Sequence, residues 1–310
     1  MNESKRQINL LVVLGPTASG KTRLGVQLAR LIGGEILSAD SRQVYRGLDI
    51  GSGKDLDEYG KVPYHLIDIV DPGYEFNLFE YQRHFFEAFS VVQSRGRLPI
   101  LVGGTGMYID AVVSSYELAA VPQNSTLREE LSELTHDHLV ERLRSVQPQL
   151  HNTTDLTERS RVIRAIEIAE NGSKDSIPAA AKEQKSVVPL VLGVKFPRTE
   201  LRERITSRLR DRLDNGLIEE VEALHSQGLS FETLDFYGLE YRFVSRFVAG
   251  KLNRNDMYQK LNSAIHQFAK KQETWFRRME KRGTTIHWLD GQKDLLAAAK
   301  PLLERYGLSS

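Results

Sequence analysis

The sequence contains no cysteine among its 310 residues. Disulfide bonds, thiolate nucleophiles and cysteine-ligated zinc are therefore excluded. Long apolar runs are also lacking, and the longest run near the amino terminus, Leu10 to Leu14, is far too short for a membrane span or a signal-peptide core. We expect a cytoplasmic protein with no membrane contact.

An excess of charge of either sign is lacking as well. There are 42 Lys and Arg residues against 41 Asp and Glu, a net charge of +1. The overall charge therefore gives no indication of nucleic-acid binding. The basic residues are nevertheless clustered, because six of the thirteen residues from Lys270 to Arg282 are Lys or Arg and a second cluster runs from Lys195 to Arg210.

Residues 15–22 read Gly-Pro-Thr-Ala-Ser-Gly-Lys-Thr, a G-x-x-x-x-G-K-T phosphate loop. An apolar run precedes it, and leucines at helical spacing follow it. A strand, loop and helix in this order aim backbone N–H groups at one point, which favours a bound anion. Lys21 adds a positive charge, and the Thr22 hydroxyl is a ligand for Mg²⁺. The predicted phosphate-binding residues are Gly15, Pro16, Thr17, Ala18, Ser19, Gly20, Lys21 and Thr22.

Short apolar segments alternate with helical ones along much of the chain. The predicted strands are Ile8–Leu14, Glu35–Ser38, His65–Val70, Leu98–Val102 and Pro189–Val194. Helices are predicted after the last of these, over Glu200–Leu213, Leu217–His225 and Asn255–Lys281. This alternation predicts an α/β fold with a parallel sheet covered by helices on both faces.

The pattern changes between residues 122 and 186, where no strand-like run occurs. Leu127, Leu131, Leu134, Leu139 and Leu143 have the spacing of amphipathic helices, and a further helix is predicted over Glu158–Ala169. We interpret 122–186 as a mainly helical insertion domain between the two parts of the core, 1–121 and 187–310.

Two further segments follow predicted strands. Asp40 comes directly after the second strand, where it faces the ligand of the phosphate loop or caps a following helix. Gly103, Gly104 and Gly106 follow the fourth strand, and so many glycines favour close approach of the backbone to a ligand over a simple turn. Asp49–Lys54 is a third glycine-bearing loop that would line the same cleft.

The last long helix carries an apolar stripe of Met257, Leu261, Ala264, Phe268, Trp275 and Met279. Lys270 and Arg277 lie on one line away from it, with Lys271 and Arg278 on an adjacent line. Taken alone, this pattern is typical of a core helix with a solvated basic face. Binding of a polyanion becomes the better interpretation only if the substrate is a nucleic acid.

Several motifs together resemble those of the tRNA dimethylallyltransferases, in order from about residue 8 to 282. These motifs are 15–22, Asp-Ser-Arg-Gln-Val-Tyr (40–45), Asp-Ile-Gly-Ser-Gly-Lys (49–54), Gly-Gly-Thr-Gly-Met-Tyr (103–108), Arg-Val-Ile-Arg-Ala-Ile-Glu-Ile (161–168), Gly-Leu-Ile-Glu-Glu-Val (216–221) and Lys-Lys-Gln-Glu-Thr-Trp-Phe-Arg (270–277). Three departures occur. The usual Gly-Thr-Ala-Lys-Pro is Gly-Ser-Gly-Lys-Asp, the usual Gly-Tyr-Lys-Glu is replaced at 238–242, and the usual Asn-Asp is weakened around Thr154 and Asp155.

The resemblance implies a P-loop NTPase-like fold and transfer of a dimethylallyl group from its pyrophosphate to N6 of an adenine beside the tRNA anticodon. Asp40 is the candidate base for the N6 proton, and the family assigns the residues matching Thr22 and Asp40 to catalysis. Lys21, the loop amides and Mg²⁺ on Thr22 would stabilise the departing pyrophosphate, with Arg204 or Arg208 as a further clamp.

The resemblance also implies an RNA-binding surface and a flipped target base. Asp40, Ser41, Arg42 and Gln43 would meet that base, with Thr105 close by. Ser160, Arg161, Val162, Ile163 and Arg164 would hold the anticodon stem-loop, while Lys270, Lys271 and Arg277 would follow its phosphates. We expect a monomer.

Three alternatives stay open on the sequence alone. One is an ATP-dependent small-molecule kinase, with Leu66–Asp71 as a strand that ends in a magnesium-binding aspartate. Another is the same prenyl transfer onto free AMP, ADP or ATP. The third is a non-catalytic RNA-binding module, which the combination of Lys21, Thr22 and Asp40 disfavours.

Overall fold

The computed structural model describes residues 7–114, 116, 121, 124–147, 156, 158–171 and 187–308. The chain divides into two compact units, Met1–Ser115 with Ser186–Ser310, and Tyr116–Lys185. Thr154 and Asp155, the weakened motif of the sequence analysis, lie outside the described residues. Among the helices of the described ranges, none is both long enough and apolar enough to cross a bilayer.

A six-stranded sheet forms the centre of the first unit. Its strands are β1 (Leu10–Leu14), β2 (Glu35–Ala39), β3 (Tyr64–His65), β4 (Pro99–Gly103), β5 (Pro189–Lys195) and β6 (Ile286–Asp290). They lie in the order β3-β2-β4-β1-β5-β6, and every neighbouring pair is parallel. All residues of β1, β2 and β4 are buried, as expected for strands with both faces covered. The predicted parallel sheet is confirmed.

Two details of the sheet differ from the sequence prediction. The strand predicted over residues 65–70 ends at His65, because Leu66 and Asp68 have positive φ angles of 66° and 56°. The following residues bond instead to the loop after β2, where the Asp68 N–H donates to the Gln43 carbonyl. The edge strand β6 was missed, because it carries polar residues and is only partly buried.

Helices flank the sheet on both faces. In the first unit the helices begin with α1 (Lys21–Ile32), α2 (Leu78–Ser94) and α3 (Gly106–Val113). The second unit, described by itself, contains α4 (Ser125–Ser132), α5 (His136–Val146) and α6 (Arg159–Asn171). The first unit continues with α7 (Arg198–Asp214), α8 (Leu217–Ser226), α9 (Phe231–Phe236), α10 (Leu239–Val248), α11 (Arg254–Lys281) and α12 (Leu295–Arg305).

The first unit has three apolar clusters. On one face of the sheet, Tyr81 and Phe85 of α2 and Phe276 of α11 pack in one core. On the other face, α1 and α12 form a second core. A third core joins the loop after β2 to α7, α8, α10 and the first half of α11. This third core holds the basic helices α7 and α11 close to the loop ends of the sheet.

The second unit has a small core of its own. The leucines at the predicted positions 127, 131, 139 and 143 are buried together with Val162 and Ile166, and Leu134 packs against them. Beside this core lies Glu167, whose side chain is fully buried. Its carboxylate accepts hydrogen bonds from Arg128, Arg164 and the Asn124 N–H. The helical character predicted for this part of the chain is confirmed.

Replacing Glu167 with Gln should destabilise the protein by about 1–3 kcal/mol at pH 7, because two arginines lose a charged partner. Burial raises the pKa of Glu167, but the bonds from Arg128, Asn124 and Arg164 outweigh it, and the pKa lies below its usual value. This stabilisation is therefore present above the ordinary glutamate pKa and is lost as the pH falls through the lower folded value. The unfolding midpoints of the two proteins, followed by circular dichroism, should converge in acid. An equal change for the exposed Glu141→Gln control would contradict the assignment.

Candidate active site

The phosphate loop joins β1 to α1 in a conformation suited to an anion. Ala18 and Gly20 have left-handed φ angles of 61° and 78°. No side chain caps the amino end of α1, so its first N–H groups point into the loop. Gly15 is needed for close packing, since a Cβ there would lie 2.6 Å from Ser19 Oγ. The buried Ser19 Oγ itself has no hydrogen-bond partner in the described structure.

Lys21 lies within this loop, and its Nζ is 3.4 Å from the Pro16 carbonyl. Burial, followed by the positive charge of Arg208, lowers the pKa of Lys21 to about 8, while Asp40 acts in the opposite direction. Lys21 is therefore mostly charged at neutral pH but close to its titration. An anion bound in the loop would stabilise the charged form.

Arginines of α7 line one side of the loop. Arg204 Nε donates to the Ala18 carbonyl at 3.0 Å, and the guanidinium lies over the ring of Phe196. Arg208 pairs with Asp55, and Arg212 lies one helical turn further on. A small pocket opens here, lined by Thr17, Ala18, Ile205, Arg208, Leu209, Arg212, Glu240 and Ile265. The structure thus brings both predicted arginines to the phosphate loop.

Asp40 follows the buried strand β2. Its Oδ1 accepts a hydrogen bond from the Arg42 N–H at 3.0 Å, which closes a turn. No helix follows within residues 41–55, so the helix-cap interpretation is wrong. The pKa of Lys21 responds to the charge of Asp40, which places the carboxylate and the phosphate loop in one electrostatic environment. Asp40 therefore lies in a turn at the edge of the sheet where β1 also ends, rather than at a helix terminus.

The residues next to Asp40 are held in different ways. The Ser41 N–H donates to Thr105 Oγ1 at 3.1 Å, and the Thr105 N–H donates to the Ala39 carbonyl. The Arg42 guanidinium lies 5.3 Å from the ring centre of Phe236, which is half exposed. Gln43 is buried, and its amide is bonded to Ser38 and the Gly53 carbonyl. Gln43 therefore supports the loop from inside, whereas Ser41, Arg42 and Thr105 lie nearer its surface.

The glycines after β4 are explained by packing within the chain. A Cβ on Gly103 would lie 2.2 Å from the Ala39 carbonyl oxygen, and one on Gly104 would lie 2.4 Å from Gln272 Nε2. A Cβ on Gly106 would lie 2.4 Å from the ring of Trp275. The structure therefore shows a close approach of β2 and α11 to these glycines, and the predicted approach to a ligand stays a prediction.

The 49–54 loop is held by two charged residues, the half-buried Glu220 and the buried Lys54, to which the sequence assigned no role. The Glu220 carboxylate accepts hydrogen bonds from the N–H groups of Asp49, Ile50 and Gly51, at 3.0, 2.6 and 3.0 Å. Lys54 is 1% exposed and donates to the Tyr45 carbonyl, Asp49 and Asp68. These bonds make the loop a rigid wall of the site.

Two of the departures from the family pattern meet at the arginines of α7. Gly53, at the position of the usual alanine, has a φ of 65°, and a Cβ there would lie 1.7 Å from the Arg212 guanidinium. Arg212 donates to the Gly51 carbonyl at 3.3 Å and to Glu240, at the position of the usual lysine, at 3.2 Å. Asp55, at the position of the usual proline, pairs with Arg208. The residues that depart from the family pattern in the two loops are therefore connected through Arg208 and Arg212.

Helix α11 presents its basic residues outward. Lys270, Lys271 and Arg277 are all exposed. The buried stripe differs from the predicted one, because Phe268 is 43% exposed and α11 buries a different set of residues. That set is Met257, Leu261, Ile265, Ala269, Gln272, Phe276 and Met279. The one polar member, Gln272, was missed by pattern analysis, which assigns amides to the surface.

In the second unit, α6 carries the predicted arginine motif. Ser160 and Arg161 are exposed. Val162 is fully buried, so it is a core residue of this unit rather than an RNA contact, and Ile163 packs partly against the same core. Arg164 donates to Glu167 and to the Val121 carbonyl. Of the five residues, Ser160 and Arg161 have the accessibility that RNA binding requires.

Comparisons with known proteins agree with this site. The family model described as IPP transferase matches residues 43–279, and the model described as isopentenyl transferase matches residues 8–61. The chain is 60% identical over 296 residues to tRNA dimethylallyltransferase 1 of Geotalea uraniireducens, covering 95% of this chain and 97% of the relative. Its counterpart in Geotalea daltonii is 61% identical over 295 residues, with 95% of each chain covered.

A solved structure is similar over nearly the whole length. The tRNA isopentenylpyrophosphate transferase of Bacillus halodurans superposes with a TM-score of 0.68 at 30% identity, covering 97% of this chain and 95% of that one. The predicted P-loop NTPase-like fold with a helical insertion is confirmed. The family models match most of the chain, the curated relatives are about 60% identical to it, and a solved member of the family has the same fold. This chain therefore belongs to the tRNA dimethylallyltransferase family of IPP transferases.

Proposed function

We propose that this protein transfers the dimethylallyl group of dimethylallyl pyrophosphate to N6 of the adenine next to the anticodon of tRNA, releasing pyrophosphate. The observation that carries the proposal is geometric: the phosphate loop follows β1 and Asp40 follows β2, the two parallel strands on either side of β4, so both lie at the same edge of the sheet. The charge of Asp40 also acts on the pKa of Lys21. The names of the relatives, tRNA dimethylallyltransferases, support the same reaction.

The acceptor nitrogen needs a base, because its lone pair is delocalised into the adenine ring. As the C–N bond forms, the N6 proton must leave, and a carboxylate within hydrogen-bond reach accelerates this step. The bond from the Arg42 N–H orients Asp40 Oδ1. The other oxygen, Oδ2, is the one we assign to the proton. Thr105 holds the Ser41 peptide beside it.

The leaving group develops negative charge as the allylic C–O bond breaks. The N–H groups at the amino end of α1, Lys21 and the arginines Arg204 and Arg208 are the groups that stabilise it. Arg204 is tied to the loop through the Ala18 carbonyl, so its charge is already in position before the donor binds. Such pre-arranged charge acts on the transition state with little reorganisation.

The donor set around Thr22 fits Mg²⁺. The described ranges contain no group of three or more Asp, Glu or His side chains that would hold a metal by themselves. Mg²⁺ needs no such group, since it commonly takes one or two protein ligands together with phosphate oxygens and water. Thr22 would supply a hydroxyl ligand, and the ion would offset charge on the pyrophosphate.

We assign the acceptor adenine to tRNA, and in particular to its anticodon stem-loop, because the protein exposes basic residues that suit a nucleic acid. The exposed Lys270, Lys271 and Arg277 suit a phosphate backbone, and Arg161 is exposed on α6. A free nucleotide offers no use for the exposed basic residues of α11. The kinase interpretation required a strand over residues 66–71 that ends in a magnesium-binding aspartate. Residues 66–71 form no strand, and both aspartates of this segment are in ion pairs, Asp68 with Lys54 and Asp71 with Arg46.

The substrate assignment is tested by supplying purified protein with radiolabelled dimethylallyl pyrophosphate and, separately, unmodified tRNA, AMP or ATP. We expect label on tRNA alone, with pyrophosphate released in equal amount. Label on AMP would assign the protein to nucleotide prenylation. Hydrolysis of ATP coupled to a small acceptor would assign it to the kinases.

Replacing Asp40 with Ala should lower turnover by about 10²-fold or more, because the N6 proton loses its acceptor. Binding of the anticodon stem-loop, measured by fluorescence anisotropy, should change little. Asp40→Asn keeps the size of the side chain and should be equally slow, whereas the exposed Asp57→Ala serves as the control. Normal turnover of Asp40→Asn would refute the role of general base.

Binding of dimethylallyl pyrophosphate should weaken as the pH rises through about 8, because Lys21 then loses its charge in the free protein. The bound anion favours the charged lysine, so affinity is full below this pH and declines above it. Titration calorimetry between pH 7 and 9.5 would measure the decline, and Lys21→Met should bind weakly and almost independently of pH. A flat profile for the unmodified protein would contradict the role of Lys21.

A further inference from the structure

Gln272 joins two loops of the site that are far apart in the sequence. Its Oε1 accepts a hydrogen bond from the Thr17 N–H at 2.9 Å, and its Nε2 donates to the Gly104 carbonyl at 2.9 Å. Thr17 belongs to the phosphate loop after β1, and Gly104 belongs to the loop after β4. One side chain on α11 therefore connects the carboxyl ends of two strands.

This amide is 7% exposed and lies on the buried stripe of α11. A buried amide destabilises a protein unless both of its ends are hydrogen-bonded. Both ends of Gln272 meet backbone groups rather than flexible side chains. The bonds therefore fix the orientation of the Thr17 peptide and the spacing between the two loops.

The connection lies directly beside Lys21. A Cβ on Gly104 would lie 2.4 Å from Gln272 Nε2, 3.3 Å from the Gly15 carbonyl oxygen and 3.5 Å from Lys21 Cε. The Gln272 amide, the start of the phosphate loop and the stem of the lysine thus meet around one glycine. A shift of Gln272 would be transmitted to the groups that hold the pyrophosphate.

We propose that Gln272 is a positioning residue for the reaction. Its hydrogen bond from the Thr17 N–H turns the first half of the phosphate loop toward α11. The N–H groups of the second half, together with Lys21, are then free to face the pyrophosphate. It touches no reacting atom and acts through the loop. The inference rests on the proposed function, in which this loop holds the pyrophosphate of the prenyl donor.

The test compares Gln272→Met with the unmodified protein, because methionine has a similar length and volume but forms neither bond. We expect the KM for dimethylallyl pyrophosphate to rise about tenfold, corresponding to the loss of about one net buried hydrogen bond. The KM for tRNA and the unfolding midpoint should change little. The exposed Gln259→Met on the same helix is the matched control and should behave as the unmodified protein.

Two readouts separate positioning from general stability. Hydrogen exchange resolved at the Thr17 amide should be slow in the unmodified protein and fast in Gln272→Met, with α11 equally protected in both. Binding of dimethylallyl pyrophosphate without RNA, measured by calorimetry, should weaken by the same factor as the KM. Gln272→Glu still accepts a hydrogen bond from the Thr17 N–H but cannot donate one to the Gly104 carbonyl. It should therefore keep the Thr17 amide protected from exchange and still bind dimethylallyl pyrophosphate weakly.

The proposal is overturned if Gln272→Met binds dimethylallyl pyrophosphate as tightly as the unmodified protein, or if Thr17 exchange is unchanged. Should Gln272→Met fail to fold, Gln272→Leu, which likewise forms neither bond, decides by the same two measurements. These readouts need no RNA. Labelling of tRNA by the unmodified protein is a separate result, so a failure of the proposed acceptor is distinguishable from a failure of this inference.

Discussion

In the proposed function, the site depends on the attraction between a pyrophosphate and a pre-arranged set of positive groups around the phosphate loop. The amino end of α1 provides N–H groups, and Lys21 adds a charge whose pKa is lowered to about 8 by burial and by Arg208. Keeping such a lysine near Arg208 is costly without an anion, because like charges and desolvation both oppose it. In the proposed reaction, binding of the prenyl donor would relieve this cost, and the departing pyrophosphate would be stabilised by the same charges.

The rest of the first unit keeps these charges in place through buried polar contacts. Glu220 accepts three backbone N–H groups of the 49–51 turn, and Lys54 closes the same loop from within. Arg212 spans from that loop to Glu240. Removing one partner of such a buried network leaves the other unpaired, which is more damaging than the loss of an exposed pair. The walls of the site are therefore rigid before any substrate arrives.

Much of this was predictable because it is local in the sequence. The phosphate loop is recognisable within eight residues, and a strand before it with a helix after it already implies an anion site. Because parallel strands end at one edge of the sheet, the cleft was one of two expected places for Asp40, and the cap of a following helix was the other. Arg204 and Arg208 were found only with the family resemblance, and the structure gives them their contacts with Ala18 and Asp55.

What the sequence did not reveal depends on contacts between distant segments. Gln272 meets Thr17 across 255 residues, and no pattern on a helix marks an amide as buried. The glycines at 103, 104 and 106 suggested a ligand, and the sequence did not show that Ala39, Gln272 and Trp275 pack against them. Val162 belongs to a motif that suggested RNA contact, yet in the structure it is buried with Ile166 in the core of the second unit. In each case tertiary packing decides between two roles that the residue type allows equally.

A crystal structure with an unreactive thio-analogue of dimethylallyl pyrophosphate and an anticodon stem-loop would test the central claim most directly. We predict both phosphorus atoms within the loop of residues 15–22 near Lys21, and the adenine N6 within hydrogen-bond distance of Asp40. Phosphates bound away from Lys21, or an adenine whose N6 faces away from Asp40, would contradict the account.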